Sequence, residues 1–245
     1  MKKNLVFVSV AISLFLFAAL VLVMPVNATL IGPQANNEAG YYLQGSGQVT
    51  VVKGTWTTPV LPTCSSGENS YAEYDVGTVT TTDFGVNDGS MFTFGCNPDS
   101  ITPYYGGGIW AGNTYAAMGV IRPGDVMSVV VKETPLANGG ATVSVKVTDA
   151  TSHWTVKASG KEQYSTNTAA WVLYGSVIPH FGVFHTSQNS AAYTGGTAQT
   201  LAFYKSSPNY SLYRFNLYDP TYTDLLVSAS ALTSAHFYFT WIASQ

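Results

Sequence analysis

Short runs of strand-forming residues, separated by Gly, Pro and Asn, recur along the chain from Gln48 onward. Ala141 to Val147 alternates Val with Thr, Ser and Lys, as a strand with one buried face does. Val126 to Val131 is continuously apolar, which is typical of a buried strand, and Leu201 to Tyr204 is one of the shorter runs. No window keeps an apolar period of 3.6 residues, so few helices are expected. The pattern predicts an all-β fold of roughly ten or more short strands, arranged as a two-sheet sandwich or a barrel.

Residues 1–28 have the features of a secretory signal peptide. Two lysines precede an apolar run from Leu5 to Val23, and Val26 and Ala28 supply the small residues that signal peptidase recognises. We expect cleavage after Ala28. The apolar run is almost long enough to span a bilayer, so an uncleaved anchor is the alternative. In both cases residues 29–245 form a single domain outside the cytoplasm, and the protein is predicted to be secreted.

Charged side chains are scarce in this chain. They make up 9% of the residues, with 10 Lys and Arg against 13 Asp and Glu, whereas about 25% is usual. The two lysines of the signal peptide reduce the basic count further, and no basic stripe remains for nucleic acid, so no nucleic-acid partner is expected. Because such a surface gains little charge when its carboxylates are protonated, the composition also favours an acid-tolerant protein.

Two cysteines, Cys64 and Cys96, are the whole cysteine content. In an exported chain a single pair predicts a disulfide rather than a metal site or a catalytic thiol. Asn209 begins an Asn-Tyr-Ser glycosylation acceptor. The four His are scattered, and no phosphate-cradling loop, GxSxG or HExxH pattern occurs. We therefore expect no metal and no cofactor.

Three carboxylates lie close together in the sequence. Glu73 and Asp75 are two residues apart, so on a strand they point to the same side, and Asp83 lies in a plausible next strand. If the two strands pair, the three acids meet on one sheet face. Close carboxylates cannot all ionise, so one would keep a proton and could act as a general acid. The alternative is that all three are solvated residues of an outer face.

Seven short motifs follow one another along the chain. The first, from Gly47 to Pro59, reads Gly-x-Val-x-Val-x-x-Gly-x-Trp-x-x-Pro. The others are 72–77, 82–86, 121–131, 169–172, 180–184 and 229–241. In this order and spacing they resemble the eqolisins, the glutamic peptidases of family G1 (formerly A4), along nearly all of residues 29–245. Residues 82–86 fall where that family has LIQxGV, and residues 169–172 fall on its AEWI motif.

The resemblance implies a concanavalin A-like sandwich of two curved antiparallel sheets, with an acid endopeptidase site on the concave sheet. In that family a Glu is the general base for water and a Gln helps to bind the oxyanion. Here Asp83 stands at the Gln position and Ala170 at the Glu position. A methyl group cannot accept a proton, so the resemblance implies the family fold without the family mechanism.

Three functions remain open at this point. In the first, the protein is not a catalyst and binds a peptide or protein ligand, a glycan or a neighbouring subunit in the concave groove. The residues expected to line that groove are Tyr104, Tyr105, Trp110, Tyr115, Trp171 and Ala170. In the second, Asp83 pairs with Asp75 or Glu73 and activates water as an acid endopeptidase. In the third, the protein is a surface or filament subunit whose Gly/Asn-rich segment before Tyr41 donates a strand to a neighbour. The sequence leaves the oligomeric state open, and it predicts membrane contact only for an uncleaved signal segment.

Overall fold

A computed structural model of the chain describes residues 30–31, 38–79, 86–175, 177–218 and 224–242. The predicted signal peptide (1–28) and Asp83 lie outside these residues. Among the described residues, no helix has the length and apolarity that crossing a membrane requires.

The described residues form seventeen strands and one short helix. In chain order the elements are β1 (Leu30–Ile31), β2 (Glu38–Gly45), β3 (Val49–Thr57), β4 (Ser70–Val79), β5 (Asp88–Cys96), β6 (Tyr104–Ala111), β7 (Thr114–Ala117), β8 (Val126–Pro135), β9 (Ala141–Asp149), β10 (Trp154–Glu162), β11 (Thr168–Tyr174), β12 (Val183–Tyr193), β13 (Gln199–Thr200), α1 (Leu201–Lys205), β14 (Tyr210–Phe215), β15 (Leu217–Tyr218), β16 (Leu225–Ala229) and β17 (Phe237–Trp241). The all-β prediction is confirmed.

The strands form two sheets. Sheet A has the order β1-β14-β2-β11-β4-β5-β6-β7, and sheet B has the order β10-β9-β8-β3-β12-β17-β16-β15, with β13 beside β12. All neighbours are antiparallel except β1, which pairs in parallel with β14. Of the segment before Tyr41 that the filament hypothesis uses, Leu30–Ile31 pair with β14 and residues 38–40 pair with β11, both in the same molecule.

Side-chain alternation explains how the sheets pack. In β9 the residues Val143, Val145 and Val147 are buried, and the intervening Ser144 and Lys146 are exposed. This is the period-two pattern of a strand with one face on a core. The five central residues of β11 are all buried, so sheet A is covered on both faces at its centre.

Aromatic side chains fill the space between the sheets. Tyr74 of β4 meets Phe184 of β12 with ring centroids 5.0 Å apart, and it meets Trp56 of β3 at 5.6 Å. Phe92 and Phe94 from sheet A and Phe239 from sheet B complete the cluster, and all are essentially inaccessible to water. Because each buried ring contributes a large apolar area, this cluster is the main link between the two sheets.

One of the short predicted strands is a helix. Leu201 to Tyr204 falls within α1, and the strand prediction for it is wrong. Leu201 and Tyr204 are the buried residues of this helix. Residues three apart share one face of a helical turn, and this short run is too brief for its period to be recognised in the sequence.

The predicted disulfide is confirmed. Cys64 and Cys96 are bonded, with Cα atoms 5.7 Å apart. The bond ties the connection after β3 to the last residue of β5, so it holds one end of sheet A.

Asp88 and Glu133 are among the carboxyls buried between the sheets. Asp88 is inaccessible to water, and its Oδ1 accepts a hydrogen bond from the Gly112 amide at 2.5 Å. Its Oδ2 has no hydrogen-bond partner among the described residues. Burial raises the pKa of Asp88 to about 7, and the nearby Glu162 and Glu133 add to the rise. Burial also raises the pKa of Glu133, which accepts hydrogen bonds from Thr166.

Candidate functional site

The outer face of sheet A brings Ala170, Asp75 and Glu73 onto one surface. Ala170 of β11 lies opposite Gly77 of β4, and Val172 lies opposite Asp75. Residues two apart on a strand share a face, so Asp75 and Glu73 point to the same side as Ala170. Asp75 is displaced from the Ala170 row by one residue pair, about 7 Å along the strand.

Carboxyl and phenol groups from three strands meet around Asp75. We call this group the acid–tyrosine cluster; its members are Glu38, Tyr42, Tyr71, Glu73, Asp75 and Tyr174. The Tyr42 hydroxyl donates to Glu38 Oε2 at 2.7 Å and lies 3.2 Å from the Tyr174 hydroxyl. The Tyr71 hydroxyl donates to Glu73 Oε2. Glu73 is the neighbouring acid that acts on the pKa of Asp75, and Asp75 Oδ1 is buried without a hydrogen-bond partner among the described residues.

Burial decides the charge of this cluster. Asp75 is 5% exposed, and burial holds its pKa well above the usual range, with the Glu73 charge adding to the rise. Burial also raises the pKa of Glu38, although the Tyr42 hydrogen bond partly opposes the effect. The pKa values of Tyr42 and Tyr174 are raised, first by burial and then by neighbouring charges. Asp75 is therefore a carboxyl that keeps its proton and can donate a hydrogen bond above the pH at which ordinary carboxyls ionise.

An apolar cluster covers the Ala170 position. Ala170 is 0% exposed and packs with Tyr42, Val79 and Val172. Val86 also packs there, and a side-chain carbon on Gly89 would lie 2.8 Å from Val86 Cγ1. The methyl of Ala170 is thus sealed under apolar atoms and has no acid–base group of its own to offer.

Exposed aromatic rings lie at the far end of the same row of residues. The row runs from Ala170 through Gly77 and Gly89 to Trp110 and Tyr115. Trp110 and Tyr115 are 41% and 49% exposed, and their ring centroids are 4.8 Å apart. Tyr104 lies on the same face of β6, where the Glu73 charge contributes to its raised pKa after burial. Trp110 and Tyr115 together offer a solvent-accessible apolar surface at the edge of the sheet.

Two residues expected in the groove lie on the other side of the sheet. Trp171 is buried in the core between the sheets, and its Nε1 donates to the Lys53 carbonyl at 2.8 Å. Tyr105 packs against the same core, and its hydroxyl accepts from the Leu61 amide at 3.1 Å. Each follows a residue of the outer face directly, and consecutive strand residues point to opposite sides. The placement expected for them is therefore corrected.

The remaining predicted residues are placed as follows. Asn209 is exposed in the turn before β14. Asp83 lies outside the described residues, so Glu73 is the described partner of Asp75. Glu38, Tyr42 and Tyr174 were missed, although Glu38 is the only acidic residue of the lead-in and lies four positions before Tyr42. That spacing, on a strand, puts both on one face.

A single group of potential metal ligands occurs among the described residues. Cys64, Glu68 and Cys96 bring three candidate ligand atoms within 4.8 Å of one another. Both sulfurs are in the disulfide, so neither is a thiolate that could bind an ion. Glu68 instead accepts hydrogen bonds from Ser65 and Ser70.

The fold is that of the eqolisin peptidases. The structure is similar to Scytalido-glutamic peptidase bound to a peptide-based transition-state analogue, with a TM-score of 0.60 and 13% identity over 84% of this chain and 98% of that one. It is also similar to SCP-B, an eqolisin in complex with the tripeptide Ala-Ile-His, with a TM-score of 0.58 and 13% identity over the same shares of the two chains. Neither a protein-family model nor a curated protein matches the sequence.

Proposed function

We propose that this chain is an exported, eqolisin-like protein that binds peptide-like ligands on the outer face of sheet A without the Gln/Glu mechanism of the eqolisins. The observation that carries the proposal is the sealed methyl of Ala170, which the sequence resemblance sets at the position of the family's general base. A methyl group cannot take a proton from water, and loss of a general base typically costs about 10²–10⁴-fold in rate.

Peptide binding is supported by the structural neighbours and by exposed groups on the outer face of sheet A. The structural neighbours are peptidases described in complex with a peptide-based analogue and a tripeptide. On this chain Trp110 and Tyr115 present exposed rings that can hold apolar side chains. The hydroxyls of Tyr71 and Tyr104 lie on the same face, are accessible, and can hydrogen-bond to a peptide backbone.

The test of binding compares two exposed tyrosines on opposite sheets. Labelled peptides from denatured casein are titrated with the protein at pH 4, and fluorescence anisotropy gives the affinity. Tyr115→Ala is expected to weaken binding about ten-fold, because one anchoring ring is lost. Tyr238→Ala is the matched control, since Tyr238 is 45% exposed on sheet B. Equal affinities for the two variants would contradict a binding site on sheet A.

Acid proteolysis is the second candidate, because Asp75 and Glu73 are neighbouring carboxyls on one face of β4, and the Glu73 charge helps to keep Asp75 protonated. On this hypothesis denatured casein is cleaved between pH 2 and 5, and Asp75→Asn abolishes the cleavage while Asp99→Asn, in an exposed turn, keeps it. Mass spectrometry of the products decides the matter. If the unmodified protein leaves casein intact, the binding function is supported. If it cleaves casein and Asp75→Asn does not, the protein is an acid peptidase and the binding proposal is wrong.

Export is the remaining part of the proposal. Cys64 and Cys96 form a disulfide, a bond that persists in oxidising compartments outside the cytoplasm. Together with the signal-peptide features of residues 1–28, this favours a secreted protein. N-terminal sequencing of protein recovered from the culture medium is expected to begin at Thr29. A chain that stays with the membrane fraction and begins at Met1 would instead be anchored.

A further inference from the structure

The outer face of sheet B gathers lysines from four neighbouring strands. Lys146 of β9 lies directly opposite Lys157 of β10. The same row continues through Val130 of β8 to Lys53 of β3. Lys132 of β8 lies two residues from Val130 and so shares this face. The sequence alone does not show this grouping, because β3 is distant in the chain from the other three strands.

These four lysines line a depression of about 640 Å³. The other lining residues are Val130, Ser144, Val145, Ala158 and Ser159. The lining contains no Asp or Glu and no aromatic residue. The four ammonium groups therefore share one open space with two hydroxyls and no carboxylate in the wall.

The arrangement has an electrostatic cost in the free protein. Like charges directly opposite on paired strands are destabilising, and Lys146 and Lys157 are such a pair. The chain as a whole is acidic, with a formal charge of −3 and only 10 Lys and Arg. Concentrating four of those residues in one depression is not what an even distribution of charge produces. A bound polyanion would remove the repulsion and gain charge-assisted hydrogen bonds.

We propose that this depression binds an acidic polysaccharide, a sugar chain carrying sulfate or carboxylate groups. Lysines on neighbouring strands are about 5 Å apart and those two strands apart about 10 Å, so each can meet a separate anion along an extended chain. Ser144 and Ser159 between them are donors and acceptors suited to sugar hydroxyls.

The other polyanions fit less well. Proteins that bind single-stranded nucleic acid combine basic grooves with aromatic side chains on which bases stack, and the lining has none. The backbone groups of β8 and β9 are paired with strands on both sides, so an acidic peptide finds no main-chain partner on them; β10, which ends the sheet, is the one lining strand with a neighbour on one side.

The binding experiment uses the purified protein at low salt and pH 5. Isothermal titration with heparin oligosaccharides is expected to show binding that weakens as salt is added, and neutral dextran is expected not to bind. Poly-glutamate and single-stranded DNA are the competing polyanions. The proposal is overturned if heparin does not bind, or if either competitor binds as tightly as heparin does.

Two charge-removing variants locate the site. The double variant Lys146→Gln, Lys157→Gln is expected to lose about ten-fold or more in heparin affinity, because half of the ammonium groups are gone. Lys205→Gln removes one exposed charge on α1, away from the depression, and is expected to keep the affinity. Thermal unfolding of the double variant is expected at an equal or higher temperature, since a repulsive pair is removed. Unchanged heparin affinity in a folded double variant contradicts the proposal.

Discussion

On the outer face of sheet A carboxyls and phenols pack against one another, whereas a group of lysines on the outer face of sheet B is exposed to solvent. Asp75 is buried and keeps its proton, and Lys146 and Lys157 are exposed. Both faces belong to antiparallel strands with the same alternation. The difference teaches that burial under neighbouring residues, rather than strand geometry, decides whether a group on a sheet face stays ionised, because burial penalises the charged form.

Removing the disulfide is expected to separate the two sheet faces most clearly, because the bond fastens one end of sheet A and does not join strands of sheet B. The double variant Cys64→Ala, Cys96→Ala should lose about 3–4 kcal/mol in the free energy of unfolding, measured with urea, since the unfolded chain regains loop entropy. Reduced unmodified protein serves as the control and should match it. Where the variant is folded, heparin binding by sheet B should persist, and its loss would show that the two faces are not independent.

Asp88 tests the effect of burial on a carboxyl that lies between the sheets and on neither outer face. Its pKa of about 7 means that the folded protein holds a proton which the unfolded chain releases near pH 4. Stability from this group is therefore complete at low pH and falls as pH rises from about 4 to about 7. Asp88→Asn should be more stable than the unmodified protein at pH 8 by up to about 4 kcal/mol, and the two should converge at pH 4. An Asn variant that is destabilised at pH 8 would mean that the Asp88 carboxylate is solvated or paired.

Asp75 tests the same principle on the outer face of sheet A. Its raised pKa again makes the folded state the better proton binder, so stability falls as pH rises above about 4. The free energy of unfolding, measured with urea at a series of pH values, should depend less on pH in Asp75→Asn. The slope should fall by up to about 1.4 kcal/mol per pH unit between the unfolded-state and folded-state pKa values. Asp99→Asn, at an exposed carboxyl, is the control and should leave the slope unchanged.

The smallest effect is expected on sheet B. Lys157→Gln removes one member of the pair with Lys146 and should raise the free energy of unfolding by about 0.2–1 kcal/mol. Added salt should shrink the gain, because exposed charges are screened. A gain that is independent of salt would assign it to packing instead of charge.

Local patterns predicted much of this molecule. The alternation of β9 and the spacing of Glu73 and Asp75 follow from the two-residue period of a strand, and both appear as expected. The same period argues against placing Ala170 and Trp171 in one groove, because adjacent residues cannot share a face. The family motif contains both residues and suggested one groove for them, but Trp171 lies on the core side of β11.

Long-range pairing could not be predicted from residues alone. Tyr42 and Tyr174 interact with Asp75 only because β2, β11 and β4 are neighbours in sheet A. Lys53 joins the other lysines only because β3 lies beside β8. These contacts depend on which strands the collapsing chain puts side by side, and that is decided by the shared core of both sheets.

The position of β11 has a consequence for the order in which the molecule folds. It begins at Thr168 and is inserted between two strands that end at Gly45 and Val79. Pairings between such distant segments form slowly, because long loops must close before the contacts stabilise anything. The hairpins from β4 to β7 can form early from neighbouring residues, but the row that contains Ala170 is completed only when β11 arrives. The candidate site is thus a late product of refolding, and peptide binding should recover after the far-ultraviolet signal of the strands.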